Sequence, residues 1–239
     1  MGISMNFPKI LILIILFFIP LSDVAAQNYL DLGVGYVSGD FNTGVNSNLS
    51  AVTAELGYFG SENFFSAATS YLNLDTDGLD QQKGMGDTYL EAGYIYRSQN
   101  NNLRLLPSVT VKLPTADETK NLGSGETDIG AFLDIYKKCG SIICTVDLGY
   151  IFVGDPPGID YNNILKLSVG GFVKFQQAGV TTYIQYNSAI LDGRTDPIKL
   201  GIDWFYLFNL KTALYIDGIA GLNDAAPDYG IRTGIIKWF

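Results

Sequence analysis

The side chains that do most enzymatic chemistry are sparse in this chain of 239 residues. It contains no histidine, which removes Ser-His triads, histidine metal sites and histidine-dependent hydrolases. Its two cysteines, Cys139 and Cys144, stand in "CGSIIC". That spacing is not the CxxC of redox or metal sites, but two thiols flanking a tight turn can form a disulfide in an oxidising compartment. "DTDGLD" (Asp75, Asp77, Asp80) crowds oxygen ligands around a glycine. The rest of a calcium-binding EF-hand loop is missing, so a solvated acidic turn is the plainer reading. "GSGE" and "GVG" lack the strand-to-helix setting of a phosphate cradle. A carboxylate pair could still act as acid and base, yet each carboxylate here has a plainer use in a solvated lumen or loop. The sequence therefore predicts no catalytic residue, no metal site and no cofactor.

Charge is what the remaining polar side chains offer, and it lies on one side of an alternating pattern. "YLDLGVGY" sets Leu30, Leu32, Val34 and Tyr36 against Asp31, Gly33 and Gly35. "SAVTAELGY", "DTYLEAGYIYR", "LRLLPSVTVKL", "TDIGAFLDIY", "CTVDLGYIF" and "LKLSVGGFVKF" repeat the pattern, as do "TTYIQYNS", "IKLGIDWFY", "TALYIDGIAG" and the closing "YGIRTGIIKWF". A sustained period of two is a strand signal. "NFFSAATSYLNL" is the least regular, with aromatics on both faces. About twelve strands result.

The connections alternate long and short. "VSGDFNTGVNSN", "DTDGLDQQKG", "PTADETKNLGSGE", "GDPPGIDYNN", "LDGRTDP" and "NDAAPD" are interleaved with "FGSEN", "SQNNN", "KKCGS", "QQAG" and "FN". Outer-membrane barrels keep tight turns on the periplasmic side, longer loops outside and an even strand count. The predicted fold is all-β, a transmembrane antiparallel up-and-down β-barrel over residues 27–239. With the aliphatic face on lipid, Tyr36, Tyr150, Phe152 and Tyr186 gather near the outer loops. Tyr58, Tyr94, Tyr96, Trp204, Tyr206 and Phe239 gather near the periplasmic turns, which makes two aromatic girdles. The last strand must pair with the first, because an open edge in lipid leaves backbone groups unsatisfied. The alternative is a soluble secreted barrel whose aliphatic face surrounds a ligand.

Residues 1–26 have the layout of a cleaved secretory signal peptide: Lys9, an apolar run from Ile10 to Leu21, then Val24 and Ala26 at cleavage-type spacing. The run is too short for a spanning helix, which needs ~20 residues. A net charge of −9 argues against a nucleic-acid partner.

By parity the lumen carries Glu55, Asp87, Glu91, Asp128, Asp134, Asp147, Asp203 and Asp217. It also carries Arg97, Arg104, Lys112, Lys166, Lys174, Lys199 and Arg232. Isolated buried ions are too costly, so these groups are either wet or paired. Facing acidic and basic walls would set a transverse field across a narrow solute passage. Pairing throughout would seal the barrel instead. Twelve strands lie between filled eight-stranded barrels and open sixteen-stranded porins.

"GMGDTYLEAGY", "LLPSVTVKLPTADETKNLGSGETDIGAFLDI" and "GYIFVGDPPG" resemble outer-membrane proteins grouped as the "putative MetA-pathway of phenol degradation" family. The matching landmarks are Gly86–Asp87, Leu113–Pro114–Thr115, Gly123–Ser124–Gly125 with Asp128, Gly149–Tyr150 and Gly154. The resemblance spans most of the mature chain. It implies a transporter-like barrel, with small aromatic compounds among the solutes of some members. The final segment is similar to the C-terminal recognition signal of outer-membrane proteins, departing from it at Lys237. The expected partners are outer-membrane lipid, the barrel-assembly machinery during insertion and a small-molecule solute, at the bacterial outer membrane.

Overall fold

The alternating segments form twelve antiparallel strands in a computed structural model that describes residues 27–40 and 44–239. The expected signal peptide, residues 1–26, lies outside the described residues. In chain order the strands are β1 (Gln27–Gly39), β2 (Ser47–Phe59), β3 (Asn63–Thr76) and β4, which runs in three stretches (Gln82–Met85, Thr88–Tyr94, Tyr96–Arg97). Then follow β5 (Leu103–Leu113), β6 (Asp128–Cys139), β7 (Ile142–Phe152) and β8 (Ile164–Phe175). The last four are β9 (Ala178–Asn187), β10 (Ile198–Asn209), β11 (Thr212–Gly221) and β12 (Tyr229–Trp238). Each strand pairs with its chain neighbours, and β12 returns to β1 in a register running from Tyr29↔Trp238 to Ser38↔Tyr229. At this seam the Phe239 amide donates to the Asn28 carbonyl at 3.0 Å and the Asn28 amide donates back at 3.2 Å. The ring therefore satisfies its own backbone, the condition for crossing lipid with strands.

The turns β2–β3, β4–β5, β6–β7, β8–β9 and β10–β11 are short and lie at one end; the longer connections lie at the other. One irregularity sits in β4. Its register against β3 passes from Tyr71↔Met85 to Ala68↔Tyr89, which inserts one extra residue at Gly86–Asp87. Such a bulge re-aims side chains locally. Here it leaves Met85 outside and Asp87 buried inside.

Parity decides which face meets what. Val34, Val52, Leu56, Val109, Val169, Ile184, Ile202 and Ile231 are each more than half exposed, all on the outside of the cylinder. An apolar belt of this extent is stable only in lipid. The soluble alternative, which needs these aliphatics inside, is overturned. Near the long loops Tyr150 meets Phe152 edge-on at 5.0 Å. Near the short turns Trp204, Tyr206 and Phe208 form an outward row.

The interior divides along its length. In the short-turn half Tyr29, Phe59, Phe64, Ile95, Leu106, Tyr136, Phe172, Tyr183, Phe205, Leu207, Tyr215, Ile236 and Trp238 pack into one buried cluster. Several of these rings lie flat against the wall where the next strand presents an inward glycine. A Cβ on Gly201 would lie 2.0 Å from Cζ of Tyr183, and one on Gly57 would lie 2.3 Å from the Tyr29 ring. Both contacts are far inside van der Waals distance, so only glycine lets the rings recline. The result is an aromatic floor across the barrel. The half of the interior toward the long loops is polar, and the other half is a packed core.

Candidate functional site: a charge-lined cavity above an aromatic floor

Above the floor lies a cavity of about 570 Å³. It reaches from the middle of the barrel to the bases of the long loops, and its polar wall includes Glu55, Glu91, Asp134, Asp147, Lys166 and Arg232. Strand alternation aims these groups inward, and the apolar floor beneath denies them bulk water from the short-turn end.

At the long-loop end the cavity is narrowed by the connection between β5 and β6. Lys112 Nζ pairs with Asp128 Oδ2 at 2.7 Å, lies 3.9 Å from Asp87 Oδ2 and donates to Ser124 Oγ at 2.8 Å. The Ala116 amide donates to Asp87 Oδ1, and the Gly154 amide donates to Asp128 Oδ1. Leu122 from the same loop is buried against inward-facing Leu49, Ala51, Leu72 and Leu74. The loop is thus held inside the mouth by one ionic knot and one apolar anchor. A single-turn 3₁₀ helix, Glu118–Lys120, punctuates it, and Asp117 caps this helix by accepting from the Thr119 amide. The Thr119 hydroxyl, which donates to the same carboxyl at 2.6 Å, and then Lys120 hold the exposed Asp117 carboxyl below the ordinary aspartate range.

Deeper in, Arg232 Nη2 pairs with Asp31 Oδ2 at 2.9 Å, the Tyr215 hydroxyl donates to Asp31 Oδ1 at 2.9 Å, and the guanidinium lies 4.8 Å over the Tyr215 ring. Tyr29 donates to Glu55 at 2.6 Å, and Ser108 donates to Glu91 at 3.0 Å. Asp134 and Asp147 are direct register partners across β6 and β7. Lys166 rests 5.7 Å over the Phe132 ring, and Lys199 also lines the cavity. Acids and bases interleave around the wall of the cavity.

Four predicted lumen residues, and a buried pair, lie away from the cavity or at its margin. Arg97 donates to the Ser61 carbonyl in a short turn, and Arg104 is buried at that same end. Lys174 is exposed there, one residue from the end of β8, because the inward side of the strand has by then passed the floor at Phe172. Asp87 lines the cavity only through the loop knot described above. Asp203 and Asp217 are fully buried register partners that do not line the cavity. Cys139 and Cys144, the pair that could form a disulfide, stand as free thiols beside the β6–β7 turn. Cys139 pairs with Ile142 and Cys144 with Lys137, so the cysteines are diagonal. The diagonal still brings the thiols together, and the Cys139 side chain hydrogen-bonds that of Cys144. Among the described residues no group of three or more His, Cys, Asp or Glu could hold a metal ion.

Sequence reasoning passed over Asp31, although it shares the parity of Gly33 and Gly35. It also passed over the floor, whose inward aromatics carry the same parity as the charges.

A family model described as "Putative MetA-pathway of phenol degradation" matches residues 18–238. Among curated proteins none matches in sequence. Among solved structures the chain is similar to the COG4313 outer membrane channel from Pseudomonas putida F1, at 13% identity and a TM-score of 0.76, covering 90% of this chain and 96% of that one. It is similar to the NanC porin at 12% identity and 0.62, covering 87% and 98%. The KdgM porin follows at 12% and 0.55, covering 88% and 99%. At these identities the likeness is one of fold, that of outer-membrane barrels.

Proposed function

We propose that this chain, which belongs to the "Putative MetA-pathway of phenol degradation" family, is an outer-membrane channel that passes small solutes by facilitated diffusion after removal of a leader at residues 1–26. The observation that carries the reading is a closed ring, apolar outside, enclosing a cavity of about 570 Å³ lined by both signs of charge. A cavity of that size suits a small molecule. Interleaved ammonium, guanidinium and carboxylate groups can exchange hydrogen bonds with a polar solute as it sheds water. Phe132, beneath Lys166, offers an apolar surface beside them, which suits solutes with an aromatic ring. That several relatives in fold are channels and porins supports the same reading.

The floor bears on the mechanism. An ion or polar solute cannot cross a dry aromatic layer without losing its hydration, and hydrophobic constrictions close pores in this way. Passage on this reading requires the floor side chains to move aside. The same floor favours one other reading, a barrel sealed at the periplasmic end whose outer cup only binds.

Planar-bilayer recording of the refolded protein, with liposome swelling in neutral, anionic and aromatic solutes of graded size, separates the two. Discrete conductance steps and size-dependent swelling are expected for the channel. Well-folded protein with neither would defeat it in favour of the sealed barrel.

A further inference from the structure

We infer a divalent-cation site of the calcium class in the barrel wall between cavity and floor, held by Asp203 and Asp217 together with the hydroxyls of Thr181 and Tyr183. Thr181, Asp203 and Asp217 form one row, Thr181↔Asp203 across β9 and β10 and Asp203↔Asp217 across β10 and β11. All three are at most 2% exposed. Both oxygens of Asp203, Oδ1 of Asp217, Oγ1 of Thr181 and the Tyr183 hydroxyl are buried with no hydrogen-bond partner. The Tyr183 ring lies over Gly201, the inward position next to Asp203, which brings its hydroxyl to this group.

Arg232 and Lys199 attract the pair through charge, but neither satisfies the two Asp203 oxygens or Oδ1 of Asp217. Arg232 is the register partner of Asp217, yet it directs Nη2 to Asp31 and stacks on Tyr215. Lys199 lies on the same strand as Asp203, and Tyr183 over Gly201 stands between them. Like charges directly opposite on neighbouring strands repel, and buried carboxylate oxygens left without a partner are strongly disfavoured. One divalent ion cancels both charges at once.

The ligand chemistry narrows the choice. The donors are oxygen only, which suits a hard cation. Opposed residues have Cβ atoms about 4.5–5.5 Å apart, a spacing at which one ion with oxygen contacts of ~2.3–2.6 Å can bridge two carboxylates. Magnesium demands strict octahedral geometry and keeps several waters, whereas calcium accepts irregular protein oxygens. A site this buried therefore favours calcium. It differs from a carboxylate cluster in drawing half of its residues from hydroxyls.

The test uses the refolded mature chain in detergent, stripped with a chelator and titrated with terbium, whose emission is read through tyrosine excitation and then displaced by calcium. A saturable signal is expected. D203N and D217N should each weaken it roughly tenfold to a hundredfold, at least as much as loss of an outer-shell partner weakens a metal site. T181V should weaken it less and keeps the test decisive if an Asp variant fails to fold. D155N, in the exposed loop after β7, should leave it unchanged. No saturable emission, or emission indifferent to all three wall variants, would overturn the site and leave surface ions only. A protonated-carboxyl infrared band at neutral pH that disappears in D203N would also overturn it, because the pair would then share a proton. Conductance plays no part in these readouts, so the site stands or falls apart from the channel.

Discussion

Phe172 and Phe205 stack in the floor with ring centroids 6.0 Å apart and planes 15° from parallel, and they are 2% and 0% exposed. Replacing either by alanine removes a fully packed ring at a cost of about 3–5 kcal/mol of stability. Their mutual contact accounts for ~0.5–1.5 kcal/mol of that, so F172A/F205A should lose less than the two single losses together by about this amount. The same truncations cut into the dry layer between the cavity and the short-turn end, where water can then enter. Single-channel recording of F172A, F205A and the double variant should therefore give larger or more frequent open steps than the parent, increasing along that series. Urea unfolding of the same refolded samples supplies the stability scale. Variants that lose the expected stability yet conduct as the parent does would show that the floor is packed but is not the barrier. Variants that lose under ~1 kcal/mol would show that it is not packed at all.

Lys112→Met leaves the Asp87 and Asp128 carboxylates facing each other without their cation, a loss of about 3 kcal/mol for a largely buried pair. It should also release the loop 114–127 from the mouth, which is read as faster proteolysis or hydrogen exchange confined to that loop. Gly201→Val places its side chain inside the Tyr183 ring and should cost about 1–3 kcal/mol by overpacking, measured by heat-modifiability on gels; Gly171, in β8 with nothing near its Cβ position, is the tolerant control. Asp117 has its carboxyl held below the ordinary value by Thr119 and Lys120. The folded value is the lower one, so the cap's contribution is present above the unfolded-state value, near ~3.9, and is lost as pH falls through the folded one. The Thr119 amide resonance should accordingly hold its position from neutral pH down through that range and move only on stronger acidification.

The architecture was legible because a period of two runs through every spanning segment and turn length alternates with it. Both signals are local and need no knowledge of what lies opposite. "NFFSAATSYLNL" looked irregular for a reason that the register makes plain: Phe64 points into the floor while Phe65 points out at 52% exposure. Parity also set Glu55, Asp134, Asp147 and Lys166 on the inner wall. What parity cannot give is depth. Arg104, Lys174 and Asp203 share the parity of Lys166, but Arg104 and Lys174 lie at the short-turn end and Asp203 lies in the wall between cavity and floor. The diagonal offset of Cys139 and Cys144 depends on a register set by the two residues of the turn, Gly140 and Ser141. The loop anchored by Leu122 was visible as long, but its destination depends on an apolar patch contributed by β2 and β3, far away in the chain.

Because Asn28 and Phe239 already exchange both of their backbone hydrogen bonds, the molecule has no preferred starting strand. A short linker joining them, with the chain reopened at Gly140–Ser141, would give a permuted cylinder with the same neighbours everywhere. What permutation would change is the order of synthesis. The contacts that span the greatest stretch of chain are those between β1 and β12, and distant pairings of this kind are slow to form. Moving the break would exchange them for others and show whether assembly waits on that one joint.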